Sequence, residues 1–272
     1  MKSFVALSLA MASTAAARTM TVYNACPFTI WPALFTSSGG RPSQPTGWSA
    51  ASFTKVTFDV PSDWDGRIWV CFIVYSQLIP ILTEGPNFTR DAATVTSLPT
   101  QDQILALTVV AMGGLYLCDV NTGTGVPPAT LAEFNFNGGG TDFFDVSLVD
   151  GYNLPMRIDN NVGCGIPSCP VDLGPNCPAD QKGPFDASGF PVGCKSACTV
   201  DALAGNVDNN PNCCTGTHGT QATCPASGVR NYAYFKNNCP DAYAFAYDEP
   251  SGTALWTCST RLNAAYTITF CP

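Results

Sequence analysis

The chain has 272 residues, enough to bury a full core, with 14 cysteines, 12% charged residues and a formal net charge of −8. That acidity excludes nucleic acid and anionic membrane surfaces as partners, because both would be repelled. Sparse charge together with 24 glycines and 22 prolines excludes a helical bundle and predicts a loop-rich, mainly β protein.

In chain order, the first element is an address. Met1-Lys2 gives a positive start, Phe4 to Ala16 is apolar or small, and Ala15 and Ala17 occupy the small positions of a cleavage site before Arg18. Residues 1–17 therefore read as a secretory signal peptide. Its apolar run is too short to span a bilayer, and the later run Ile104–Met112 has only nine residues. A secreted protein without a transmembrane segment is expected. Short segments with alternating apolar and β-branched residues follow: Arg18–Cys26, Phe28–Thr36, Ala51–Val60, then the turn "PSDWDG" and the strand "RIWV". Further on, "TLAEFNFN", "TDFFDVSL", "YNLPMRID", "AYAFAYDEP", "ALWTCST" and "AAYTITFCP" read as strands as well. Many short strands between turn signals predict an antiparallel β-sandwich. One helix is expected from Ser196 through "ACTVDALAG", with Gly205 as its stop.

Nine of the cysteines lie between Cys164 and Cys239, in a stretch rich in Gly, Pro and Asn with little alternation. Export oxidises thiols, so these read as disulfides, each worth about 2–5 kcal/mol, in a block that builds no core of its own. Zinc is discounted, since His218 is the only histidine; "SDWDG" lacks the further ligands of a calcium loop. We expect no metal and no cofactor. Strands from both chain ends flank the block. The expected organisation is thus a sandwich from 18–163 and 240–272, with 164–239 as an inserted disulfide-rich, loop-plus-helix subdomain.

At this point the residues carry a resemblance. "PPATLAEF", "DFFDVSLVDGYNLPM", "CKSACTV", the adjacent Cys213–Cys214, "NNCPDAYAFAYD" and the terminal "ITFCP" resemble, in order, the motifs of the thaumatin-like proteins, the osmotin and pathogenesis-related group 5 type. The short "GGLYLC" loop is similar to that of fungal members. The resemblance implies six disulfides: Cys26–Cys271, Cys164–Cys258, Cys169–Cys239, Cys177–Cys194, Cys198–Cys213 and Cys214–Cys224. Cys71 and Cys118 are left over, either paired with each other or free. Residues 70–112 do not resemble the family. Either this is a diverged loop whose apolar ends form extra strands, or intron sequence has been carried into the translated chain; sequencing the spliced transcript separates the two. The sequon at Asn87 lies inside that stretch.

The resemblance also implies an acidic cleft with an arginine, a glutamate and three aspartates, which fall on Glu133, Asp145, Asp150 and Asp241. The arginine is expected two positions after Trp69, where Cys71 stands; Arg67 is four residues away, about 13 Å along a strand, and reads as a poor substitute. No lysine or arginine occurs between Arg90 and Arg157, so these carboxylates would raise one another's pKa. A protonated and an ionised carboxyl are the equipment of a glycosidase. Glu133 is expected as general acid and Asp145 as nucleophile or base. Asp150 and Asp241, with Phe143, Phe144, Tyr152 and Tyr243 as stacking platforms, are expected to bind sugar. The competing reading makes Asp142 and Asp145 solvated strand ends, the aromatics core, and Asp241 the cap of a turn.

The function implied is a secreted, monomeric protein whose cleft binds the polysaccharide β-1,3-glucan, with weak endo-β-1,3-glucanase activity. The alternatives are a non-catalytic defence or cell-wall protein that acts by binding, an inhibitor of a foreign hydrolase, or a membrane-perturbing protein; the net charge opposes the last.

Overall fold

The computed structural model describes residues 17–74, 115–117, 127–186 and 188–272. The alternation read along the first segment becomes strand β1 (Arg18–Asn24), which buries Arg18, Met20, Val22 and Asn24 on one face. With β3 (Lys55–Val60), β9 (Met156–Asn160), β10 (Ser168–Cys169) and β12 (Tyr266–Phe270) it forms a sheet in the order β10-β9-β12-β1-β3. A second sheet has the order β11-β8-β7-β4-β2, from β2 (Pro32–Ser38), β4 (Asp65–Val70), β7 (Leu131–Asn135), β8 (Thr141–Ser147) and β11 (Trp256–Ser259). Its pairs are all antiparallel. Two short strands, β5 (Phe72–Val74) and β6 (Leu115–Leu117), pair as a separate ribbon. The expected β-sandwich is therefore present, with one departure from antiparallel order: β1 and β12 run parallel. They come from opposite ends of the chain, so no hairpin dictates their direction.

The core lies between the sheets. Phe134 and Phe144 from one sheet meet Tyr266 from the other at ring-centroid distances of 5.5 and 5.0 Å, and Trp64 and Phe136 extend the cluster. One edge of this layer holds an ion pair. Arg18 Nε and Nη2 donate to the two carboxylate oxygens of Asp142 at 3.1 and 2.9 Å, and Tyr266 donates its hydroxyl at 3.0 Å. Asp142 is fully buried; the solvated-strand-end reading fails there because a cation from β1 neutralises it.

All six implied disulfides are present. Cys26–Cys271 ties the two chain ends beside the parallel strands. Four bridges close within 164–239; Leu173, Phe235 and several half-cystines there pack onto the main core, while Cys214 and Cys224 join Phe245 in a small separate cluster. Cys71 is also disulfide-bonded, which removes the free-thiol alternative for it; Cys118, Asn87 and most of 70–112 lie outside the described residues.

Helix α1 (Ala197–Leu203) starts after Ser196, whose hydroxyl accepts the Thr199 N–H, and Gly205 follows with φ +75°, as the spacing predicts. A second helix, α2 (Tyr232–Asn238), was not expected; its Asn-rich flanks hide a single buried anchor, Phe235. The second predicted strand begins later than read, at Pro32, where proline's missing donor is harmless. "AYAFAYDEP" is not a strand. There the buried Asp248 carboxylate takes the Ala244 N–H at 3.0 Å, and Lys236 and Tyr232 hold it at 3.0 and 2.7 Å. A side chain has captured the donor that a ladder would need.

Candidate functional site

Strand periodicity builds the site. Ile68, Ala132 and Val146 face the core, so their neighbours Arg67, Glu133 and Asp145 face outward from β4, β7 and β8. The ladder places these three directly opposite one another in a single row. The next row on the same face is Asp65, Asn135 and Phe143. Over this floor stands the segment that follows the cysteine-rich block. Tyr243 donates its N–H to Val146 and accepts the Leu148 N–H, each at 2.9 Å, and the Asp248 anchor fixes the residues beyond it. The result is a cleft of about 550 Å³ whose lining includes Asp65, Arg67, Glu133, Phe143, Asp145, Ser147, Asp150, Tyr243, Glu249 and Leu255.

Asp150 reaches the cleft from a tight turn after β8. Gly151 holds φ +92° there, and a Cβ on it would lie 2.6 Å from Pro128 Cβ and 2.8 Å from the Cys194 carbonyl. A Gly151→Ala variant is therefore expected to lose about 1–3 kcal/mol. Thermal melting checks this, and an unchanged midpoint would show that the turn is not under this constraint.

The electrostatics follow from burial and crowding. Arg67 Nη1 lies 3.5 Å from Glu133 Oε1, with the two side chains 28% and 32% exposed. Burial raises the Glu133 pKa, the Arg67 guanidinium pulls it down, the Asp150 charge raises it again and the nearby Ser147 side chain lowers it; the net direction is up. Asp145 is 8% exposed. Burial and then the Glu133 charge push its pKa well above the usual carboxylate value, with Arg67 opposing. Burial also raises Asp150, against Arg67. Asp145 Oδ1 and Asp150 Oδ2 are buried without a hydrogen-bond partner. The Tyr243 hydroxyl pKa is raised as well, first by burial and then by the charges of Asp145 and Glu249.

Five of the expected site residues meet here: Glu133, Asp145, Asp150, Phe143 and Tyr243. Three do not. Tyr152 is 1% exposed, and its hydroxyl turns to Asp172 at 3.4 Å. Its apolar ring is worth more in the core than in the cleft. Asp241 does not line the cleft; its backbone bridges to Ser168 and accepts the Trp256 indole N–H at 3.3 Å. Glu249 supplies a fifth carboxylate in its place. Phe144 is core, its ring tilted against Tyr266. Arg67 is no poor substitute. The relevant distance runs across the ladder to Glu133, not along β4 to the position of Cys71. Asp65 was missed too, though its alternation with Arg67 on one strand marked it, and Glu249 is one of only three glutamates in the chain.

The Thaumatin family model matches residues 24–72 and 108–272, leaving out most of the stretch that departs from the motifs. The chain is 36% identical over 263 residues to a Prunus avium protein named glucan endo-1,3-beta-glucosidase, covering 94% of this chain and 91% of that one. It is 36% identical over 274 residues to thaumatin-like protein 2 of Prunus persica, covering 98% and 96%. Pathogenesis-related thaumatin-like protein 3.5 of Cryptomeria japonica matches at 35% over 261 residues, covering 95% and 91%.

Proposed function

The chain belongs to the thaumatin family, and from that premise we propose that it is a secreted protein whose acidic cleft binds β-1,3-glucan and hydrolyses it slowly. The relative named for glucan endo-1,3-beta-glucosidase supports the substrate class. The six disulfides support an oxidising, extracellular compartment.

One observation carries the chemistry: Arg67, Glu133 and Asp145 stand side by side in one cross-strand row. Directly opposed residues have Cβ atoms about 4.5–5.5 Å apart, so the two carboxyl groups are cross-strand neighbours, as a glycosidase pair requires. The row also divides the labour. Arg67 favours charge on Glu133, while burial and the Glu133 charge favour a proton on Asp145. Asp145 then protonates the leaving oxygen and Glu133 attacks the anomeric carbon, the reverse of the roles expected from the sequence. Phe143 and Tyr243 offer apolar ring faces beside the pair.

The test is incubation of the protein with laminarin, wild type against Glu133→Gln, with retention and released reducing ends both measured. Both proteins should be retained, and only the wild type should release sugar. Retention by both without any released sugar would leave a binding protein and remove the enzyme; no retention would remove the glucan reading altogether.

A further inference from the structure

We propose that the best occupant of the cleft is a glycan bearing protonated amines, of the β-linked glucosamine class, with an ammonium group held by Asp150 among the cleft carboxylates. This rests on the reading of the cleft as a glycan site and narrows its ligand. Among the described residues, five carboxylates, on Asp65, Glu133, Asp145, Asp150 and Glu249, line the cleft with a single cation, Arg67, and that cation already faces Glu133. The floor therefore keeps an excess of negative charge even when Asp145 holds a proton. A neutral glucan meets it with hydroxyls alone. An ammonium brings three donors and a full charge, and charge-assisted hydrogen bonds are about twice as strong as neutral ones.

A second observation, independent of the charge count, points the same way. Asp145 is more than nine-tenths buried, lines the cleft, and has an oxygen with no hydrogen-bond partner; Asp150 has another. Buried acceptors left unpaired cost free energy that a donor from a ligand recovers. A metal ion is a poor fit for the role, because among the described residues no three His, Cys, Asp or Glu side chains converge as ligands. A basic peptide fits the charge, but Phe143 and Tyr243 also line the cleft, and aromatic side chains suit the apolar faces of sugars better than flexible lysine stems.

The experiment measures binding of three oligomers of equal length at about pH 5, where sugar amines, though less basic than a lysine amine, carry their protons: glucosamine, N-acetylglucosamine and β-1,3-linked glucose. The glucosamine oligomer should bind about tenfold tighter than the other two, a difference of about 1.4 kcal/mol. Its advantage should shrink as salt is raised, because screening weakens ion pairing and not neutral contacts. Asp150→Asn should narrow the ratio between the charged and neutral oligomers. Equal or weaker binding of the glucosamine oligomer, with the glucose oligomer still bound, overturns this inference and leaves the glucan reading standing. Failure of all three overturns both. A lysine oligomer of equal charge that binds as tightly overturns the assignment to a glycan.

Discussion

Replacing Asp142 by alanine is expected to destabilise the fold by about 3–5 kcal/mol, because it strands a guanidinium in the core. Arg18 is 4% exposed and Asp142 fully buried. The guanidinium grips both carboxylate oxygens and also donates to Asn263 at 3.0 Å, while Tyr266 gives its hydroxyl to the same carboxylate. Truncation removes the carboxylate and leaves Arg18 with Asn263 as its remaining side-chain hydrogen-bond partner and the Tyr266 hydroxyl without its acceptor. The pair's net worth is a separate quantity. Two desolvated charges recover their hydration only in part through mutual attraction, so removing both is far milder than removing one. The double variant Arg18→Met, Asp142→Leu should therefore recover most of the stability that Asp142→Ala loses. Denaturant unfolding with disulfides intact reads both. A loss below about 1 kcal/mol for the single variant would mean that the contact contributes no more than an exposed ion pair.

The same acidic stretch shows how much of this protein was legible beforehand. Strand alternation gave the sandwich because each strand buries one face, and period-two patterning survives any loop between strands. It gave the helix after Ser196 because that start depends on the residues beside it: a serine cap and a glycine stop. The bridge pattern came with the family motifs, since spacing alone leaves every pairing open. The errors share a cause, which is that ladder register is invisible along the chain. Arg67 was judged by its distance along β4, whereas its partner Glu133 sits across the ladder, 66 residues later in sequence. Asp142 and Asp145 look alike in "DFFD", yet three residues apart on a strand they take opposite faces; one meets Arg18 in the core and the other is left in the cleft. Segment 242–250 alternates like a strand, but Asp248 takes a backbone N–H and the chain turns away. That turn carries Glu249 to the site, where the motif order had pointed to Asp241.

Asp145→Asn is expected to cut glucan hydrolysis by about 10²–10⁴-fold, the usual worth of a general acid, and at the same time to make the protein more stable at neutral pH. The sign follows from linkage. Burial and the Glu133 charge set the folded pKa of Asp145 well above its ordinary 3.8. Between those two values the folded state holds a proton that the unfolded state has released, so stability falls as pH rises through that window and stays low above it. Below the ordinary value both states are protonated, and the wild type should match the variant. Above the folded value the wild type carries a buried charge whose Oδ1 has no partner; a neutral amide of the same shape does not. The gain near neutral pH should be about 1 kcal/mol, or about 2–4 °C in midpoint for a chain of this size. Paired melting curves and reducing-sugar assays across pH read both effects. An activity loss with lower stability at every pH would make Asp145 a structural strut, whereas a stability gain without activity loss would take the proton donor out of the chemistry. Lost catalysis with a stability gain that appears only as pH rises is the pattern of a carboxyl held in the cleft, at a cost to the fold, for the proton it carries.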